Sequence, residues 1–476
     1  MKTENNTKKE PRISWKRVVF PGFFLALIAL GFSMSAVLWF QNKELKAMKS
    51  LQPIVYYSIL REEPFLNADD VVAADDRETF QAEKKKLIDK KENFIEADLK
   101  RMKMSLYENG EIKEEYSILM KGKMGSFWET TTGIYSVGAK SANHFSSIAK
   151  VWMPYGVQFY GNFFIHGWPY YSDGTPLQSS YSGGCIRLST KDAEKVFSFA
   201  KYGMPILVFE EKPRATLYEA FTRADEEAEM PLIEAEAAIV ADLDTGEVLL
   251  DKNSEESFPL GALTKSMTAL TVSEVVNLER TITAQSWMLN TPKSDNLLNA
   301  GTRYRGFDLL YPLLMQSSND AATVLGGFLG ETGTVFQMNK KAKGLGMSRT
   351  TFVDVTGESE KNVSTLTDLS RLAEYILAKR GFIFGVSIGT EYPEQQSITF
   401  QNLSNYNPFV GEKNLVGVIG GRTDAVGFTV LTVWQFSKEG KPPRNVLIGV
   451  LGSKNANGDI IAIRSWFEKN FGVVPQ

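Results

Sequence analysis

Cys185 is the only cysteine in 476 residues, and His166, nineteen positions before it, is one of only two histidines. A single cysteine forms no internal disulfide, so it is either a buried small hydrophobe or a thiol kept for its reactivity. Its setting, Ser182-Gly183-Gly184-Cys185-Ile186-Arg187, favours the thiol. Consecutive glycines let bare backbone N–H groups approach a ligand closely, which is the geometry an oxyanion hole needs. A free thiol is only a few per cent thiolate at neutral pH and needs a base or an electropositive setting before it attacks an amide. His166 is the available base, and the N–H groups around Gly184 and Cys185 are the candidate oxyanion donors. The second histidine, His144, lies in a loop-like stretch and reads as surface.

The elements that must position these groups are strands. Lys103 to Tyr107 alternates, Glu108-Asn109-Gly110-Glu111 supplies a hairpin turn, and Tyr116 to Met120 returns. Glycine-punctuated strands continue through Gly133 to Val137, Val157 to Tyr160 and Phe163 to His166, and a helix is predicted from Lys191 to Tyr202. This is a mostly β domain, expected over 97–212.

Charge is nearly balanced, with 53 Lys and Arg against 56 Asp and Glu, which argues against nucleic acid as a partner. No His/Cys group has metal-ligand spacing, and neither metal nor cofactor is expected. Val18 to Phe40 is an uncharged, apolar run of the length a bilayer-crossing helix needs, preceded by Lys2, Lys8, Lys9, Arg12, Lys16 and Arg17. It predicts a single-pass anchor over 18–40 in the cytoplasmic membrane, with residues 1–17 cytoplasmic and everything beyond Gln41 outside. A cleaved leader and a buried core helix are the alternatives. Residues 41–96 read as a helical stalk, with Phe80, Leu87, Ile88, Phe94 and Ile95 as one apolar stripe.

Taken together, Thr132-Gly133, Met153-Pro154-Tyr155, Ile165-His166-Gly167 and Ser182 to Ser189 resemble the L,D-transpeptidase catalytic domain of bacterial cell-wall enzymes. The resemblance implies that Cys185 attacks the L-to-D amide of a peptidoglycan tetrapeptide stem, releases terminal D-alanine, and passes the acyl group to an amine of another stem. It implies that the Gly167 carbonyl orients His166, and that Gly184, Ser182, Tyr155 and Arg187 form the oxyanion and substrate contacts. Arg187 would face a stem carboxylate or brace the cysteine loop. The family usually carries a second histidine two residues before the cysteine, where this chain has Gly183.

An acid-rich connector, 213–229, leads to a second region, 230–476. Its motifs Asp242 to Gly246, Leu263-Thr264-Lys265, Ser317-Ser318-Asn319-Asp320 and Ser364 to Leu369 resemble the D-alanyl-D-alanine carboxypeptidases, α/β serine enzymes of β-lactamase-like fold. The chemistry of that family is missing. Its Ser-x-x-Lys reads Ala262 to Lys265, and its Lys-Thr-Gly strand reads Ile419-Gly420-Gly421. Residues three apart share a helix face, so position 262 is where a nucleophile served by Lys265 must sit, and alanine offers no hydroxyl. Ser317, Asn319 and Lys265 remain as parts of a degenerate second site. The expected protein is therefore multidomain, an anchored cysteine acyltransferase with a pseudoenzyme module that binds stem peptides or serves structurally. An L,D-carboxypeptidase or hydrolase, and a wall-binding scaffold without activity, are the alternatives.

Overall fold

The computed structural model describes residues 77–475 apart from 211–220, 222–228, 292–293, 295–296, 390–399, 401, 424–425 and 439–442. The expected anchor over 18–40, the first part of the stalk and most of the connector lie outside the described residues. Among the described residues, no helix is long and apolar enough to cross a membrane.

The described part of the stalk is one helix, α1 (Arg77–Asp89), and it belongs to the first domain. Phe80 stacks on Phe209 at 4.2 Å between ring centroids, and Leu87 packs with Phe94, Tyr107 and Leu207. The helical stripe expected to continue through Phe94 and Ile95 does not. Both residues lie in β1 (Phe94–Asp98), which runs parallel to β9 (Pro205–Phe209) and antiparallel to β2 (Lys103–Glu108). The turn at Lys90–Asn93 ends the helix, with Lys91 at φ 54°, so the domain starts earlier than 97.

Two sheets build this domain. One has the order β3-β2-β1-β9-β4, with β3 at Glu111–Ser117 and β4 at Gly133–Ser136. Asn109 and Gly110 close the β2–β3 hairpin with φ 53° and 80°, the left-handed pair that a two-residue turn requires. The second sheet runs β5 (Lys140–Ser146), β6 (Val151–Tyr160), β7 (Phe163–His166) and β8 (Ile186–Arg187). Strands β7 and β8 are parallel, pairing Ile165 with Ile186 and His166 with Arg187. Helix α2 (Thr190–Phe199) follows, N-capped by the Ser189 side chain, which accepts from the Asp192 N–H.

The second domain centres on an antiparallel sheet in the order β11-β10-β14-β13-β12. Its strands are β10 (Ala237–Asp242), β11 (Val248–Lys252), β12 (Leu415–Thr423), β13 (Gly427–Ser437) and β14 (Arg444–Ser453). Its helices include α3 (Thr264–Val275), α4 (Asn319–Gly326), α5 (Glu331–Gly344), α6 (Leu366–Lys379) and α7 (Ala456–Phe471). Every residue of α3 is buried, so it is a central helix rather than an amphipathic surface one.

The two domains share one hydrophobic core, which runs from Ile95 and Val157 in the first to Leu270 and Leu372 in the second. Charge also crosses the boundary. Glu274 of α3 pairs with Lys341 at 2.9 Å and Arg380 at 3.0 Å and accepts from the Tyr375 hydroxyl at 2.6 Å, all fully buried. From the first domain, Thr131 accepts from Lys341 at 2.8 Å, and the Glu129 carbonyl accepts from Arg380 at 3.0 Å. Burial pushes the Glu274 carboxyl up, but the Lys341 and Arg380 charges outweigh it and hold it below the usual carboxylate range.

Candidate active site

Cys185 enters the site at the start of β8, buried at 8% exposure among Val151, Met153 and Phe164. Its loop has little freedom. Gly184 sits at φ 98°, and a Cβ there would lie 2.5 Å from the Phe163 ring, so position 184 requires glycine both for its conformation and for space. Gly183 differs, since a Cβ there would meet nothing within 4 Å. The Ser182 hydroxyl donates to the Cys185 carbonyl and the Ser182 N–H to the Lys121 carbonyl, so this residue closes the loop on itself.

His166, at the end of β7, is 2% exposed. Its Nδ1 lies 2.6 Å from the Gly167 carbonyl, which can only accept, so Nδ1 carries the proton and Nε2 keeps a free lone pair. Gly167 is held in turn: a Cβ there would fall 2.9 Å from the Thr190 backbone, and its N–H donates to the Pro154 carbonyl. Burial pushes the imidazole down to about 4, aided by the Arg187 and His144 charges and opposed by the Gly167 carbonyl. Burial likewise pushes the Cys185 thiol up to about 11, against the lowering effects of the Phe164 N–H and the Arg187 charge. The resting pair is therefore a neutral thiol and a neutral imidazole.

Arg187 is 2% exposed, and its burial lowers its pKa. One guanidinium nitrogen lies 2.9 Å from the Met120 sulfur, and the group sits 5.0 Å from the Trp168 ring centroid. Its Nε is buried without a hydrogen-bond partner, and no carboxylate among the described residues pairs with it. An unpaired buried cation is costly.

Tyr155 is tied to α2. Its hydroxyl donates to Glu194 at 3.0 Å and its ring packs against Phe197, both on α2, and its backbone has φ 54°. These contacts brace the helix that follows the cysteine strand. His144 stacks on Phe164 at 4.4 Å, and burial lowers its pKa.

In the second domain Ala262 lies in a tight turn, Gly261–Leu263, that runs into α3. Lys265 is 3% exposed and donates to the Thr356 carbonyl at 2.6 Å. Gly421 of β12 presses on this point, since a Cβ there would lie 2.6 Å from the Ala262 Cβ and 3.4 Å from the Ser317 hydroxyl. Ile419 is buried at 4%, Asn319 donates to Glu358 at 2.8 Å, and Ser317 has φ 55°. The structure thus gathers Ala262, Ser317 and Gly421 at one spot.

Sequence reasoning missed Asn162, in the β6–β7 turn. Its carbonyl accepts from the Cys185 thiol at 3.6 Å, and its side-chain amide donates to the Val275 carbonyl of α3 at 2.6 Å. The only local signal was its place after Gly161 between two strands, which marks a turn and nothing more.

Comparison with known proteins divides the chain at the same place. Residues 92–208 match the family model of the L,D-transpeptidase catalytic domain (YkuD), and residues 224–446 match that of the D-alanyl-D-alanine carboxypeptidases (peptidase S11). A D-alanyl-D-alanine endopeptidase of Escherichia coli is 28% identical over 263 residues, covering 52% of this chain and 82% of its own length. One from Pseudomonas aeruginosa is 30% identical over 245 residues, covering 49% and 76%. A crystal structure of a D-alanyl-D-alanine carboxypeptidase from Mycobacterium tuberculosis superposes with a TM-score of 0.46 at 23% identity, covering 54% of this chain and 97% of that one. The chain belongs to the D-alanyl-D-alanine carboxypeptidase family through its C-terminal half, and it carries an L,D-transpeptidase catalytic domain in front of that half.

Proposed function

We propose that the protein is a peptidoglycan L,D-transpeptidase whose nucleophile is Cys185 and whose base is His166. The observation that carries this reading is the His166 tautomer: with Nδ1 held by Gly167, Nε2 is left as the proton acceptor for the thiol of Cys185, which immediately precedes the strand paired with β7. On attack the thiol proton passes to Nε2 as sulfur bonds to the carbonyl carbon before the terminal D-alanine of a tetrapeptide stem. The carbonyl electrons collect on its oxygen, and the N–H groups of Gly184 and Cys185 hold that oxyanion. The tetrahedral centre then collapses, the C–N bond breaks, and the imidazolium returns its proton to the departing D-alanine nitrogen. An amine of a second stem takes the acyl group from the thioester, giving its proton to the same imidazole.

Arg187 is the proposed partner of a stem carboxylate, because it is a buried cation with no carboxylate paired to it among the described residues. The C-terminal domain is proposed to be catalytically inactive, with Ala262 where the serine nucleophile should be and Ile419 in place of the strand lysine. Residues 18–40 are proposed as the single-pass anchor that places both domains outside the cytoplasmic membrane. Release of D-alanine from a tetrapeptide stem by the wild-type chain, and its absence in Cys185→Ala, tests the reading. Loss of D-alanine without a cross-linked product would assign the acyl group to water and make the enzyme a carboxypeptidase.

A further inference from the structure

The β6–β7 turn touches both the thiol and the second domain. Asn162 faces both ways: its carbonyl accepts from Cys185 Sγ at 3.6 Å, and its side-chain amide donates to the Val275 carbonyl at 2.6 Å. The preceding residue, Gly161, has φ 46°, and a Cβ there would lie 2.6 Å from the Val275 Cγ1. Val275 is itself immobilised. It is the last residue of α3, next to Glu274, whose carboxylate is locked between Lys341, Arg380 and Tyr375. On its other side the turn is tied by Gln158, whose amide donates to the Gly161 carbonyl at 2.6 Å. A two-residue turn would move freely without such anchors, and the carbonyl that fixes the thiol would move with it.

We infer that Asn162 is a positioning residue for Cys185, and that the C-terminal domain, by holding Asn162 through the Val275 carbonyl, is a working part of the thiol site. The helix that opens with the degenerate Ala262 to Lys265 motif therefore acts at its opposite end, as the fixed post to which the first domain's nucleophile is tied. The Asn162 carbonyl accepts only from the protonated thiol, so it holds Sγ in one orientation until His166 takes the proton. The catalytic meaning of this rests on the proposed transpeptidase reaction, but the coupling between Asn162 and the thiol does not.

Two measurements on the full chain test the inference. The first is the pH dependence of Cys185 alkylation by iodoacetamide, which needs no turnover. Asn162→Leu keeps the side-chain size but removes the donor to Val275, and it is expected to lower the alkylation midpoint by about one pH unit, because the thiol loses a fixed acceptor. Gly161→Ala forces the turn from Val275 without touching Cys185 and is expected to shift the midpoint the same way. Adding Val275→Ala removes the 2.6 Å clash with Cγ1 but leaves the φ 46° strain, and should return it only part of the way toward wild type. The second measurement is steady-state transpeptidation, where Asn162→Leu is expected to lower kcat at least about tenfold with KM within about twofold. Alkylation curves of Asn162→Leu and Gly161→Ala that superimpose on wild type would overturn the inference. A midpoint shift in a wild-type background that turns over no stem would uphold it while removing the transpeptidase reading.

Discussion

The Lys379 ammonium, at the C-terminal end of α6, lies 2.6 Å from the Glu129 carboxylate, which precedes β4 in the other domain. It lies equally close to Glu210, which also receives Lys121, so four charges from two domains meet at 12% exposure or less apart from Lys121. Removing one partner of such a group strands the rest in a poorly solvated place. Lys379→Ala is expected to destabilise the chain by about 3–5 kcal/mol. Denaturant titration followed at both domains should show one transition, shifted as a whole. Two separate transitions, with only the second domain affected, would contradict the shared core.

The same group carries a pH dependence. Burial raises the Glu210 carboxyl, but Lys379 and Lys121 outweigh that and leave it below its ordinary value. A carboxyl whose folded pKa is depressed gives stability that is present above its unfolded pKa and lost as pH falls through the folded one. His166 adds to this. Its folded pKa of about 4 lies below the usual 6.5, so the unfolded chain binds the extra proton and stability falls from about pH 6.5 down to 4. Melting temperature should decline across that window and less steeply in His166→Gln. An identical decline in both would remove His166 as a contributor.

The resting thiol should be sluggish. With Cys185 at about 11 and His166 at about 4, proton transfer accompanies attack rather than preceding it. Iodoacetamide alkylation of the substrate-free protein is expected to be slow at pH 7 and to rise about tenfold per pH unit toward 11. A plateau below pH 7 would mean that a thiolate and imidazolium are already formed.

The two glycines before Cys185 should respond in opposite ways. Gly184→Ala forces a methyl into the Phe163 ring at φ 98°, and loss of both stability and activity is expected. Gly183→His enters open space, so stability should change by less than about 0.5 kcal/mol. Because the family usually carries histidine there, kcat is expected to rise, about two- to tenfold on the scale of a partial acid-base contribution. A fall in kcat would show that the loop has adapted to glycine.

The proposed inactivity of the second domain predicts that a serine at position 262 does not by itself create penicillin-reactive chemistry there. In Ala262→Ser the new hydroxyl would meet Gly421 pressed against it, Lys265 engaged by the Thr356 carbonyl, and Ile419 where a lysine belongs. No labelling of residues 230–476 by a fluorescent penicillin is expected for either wild type or variant. Labelling of the variant would mean that the single alanine is the whole lesion.

Much of the site was legible because its signals are local. Asn109-Gly110 dictates a hairpin by its φ values, and Ser182 to Arg187 carries its glycines, nucleophile and cation in six residues. Phe94 and Ile95 misled because a helical apolar spacing can run into a strand whose residues are buried on both faces, as β1 is. Glu274, Lys341 and Arg380 were unreadable for another reason. Charged residues ordinarily mark surface, and nothing local shows that three of them meet in a core. Asn162 and Val275 lie 113 positions apart, and only the packing of two domains brings them together.

The most direct measurement is the intact mass of the chain after incubation with a tetrapeptide stem, beside Cys185→Ala. A gain equal to the stem less D-alanine, present in the wild type and lost in the variant, is the predicted thioester. Absence of that adduct together with no released D-alanine would contradict the central claim and leave the protein as a wall-binding scaffold.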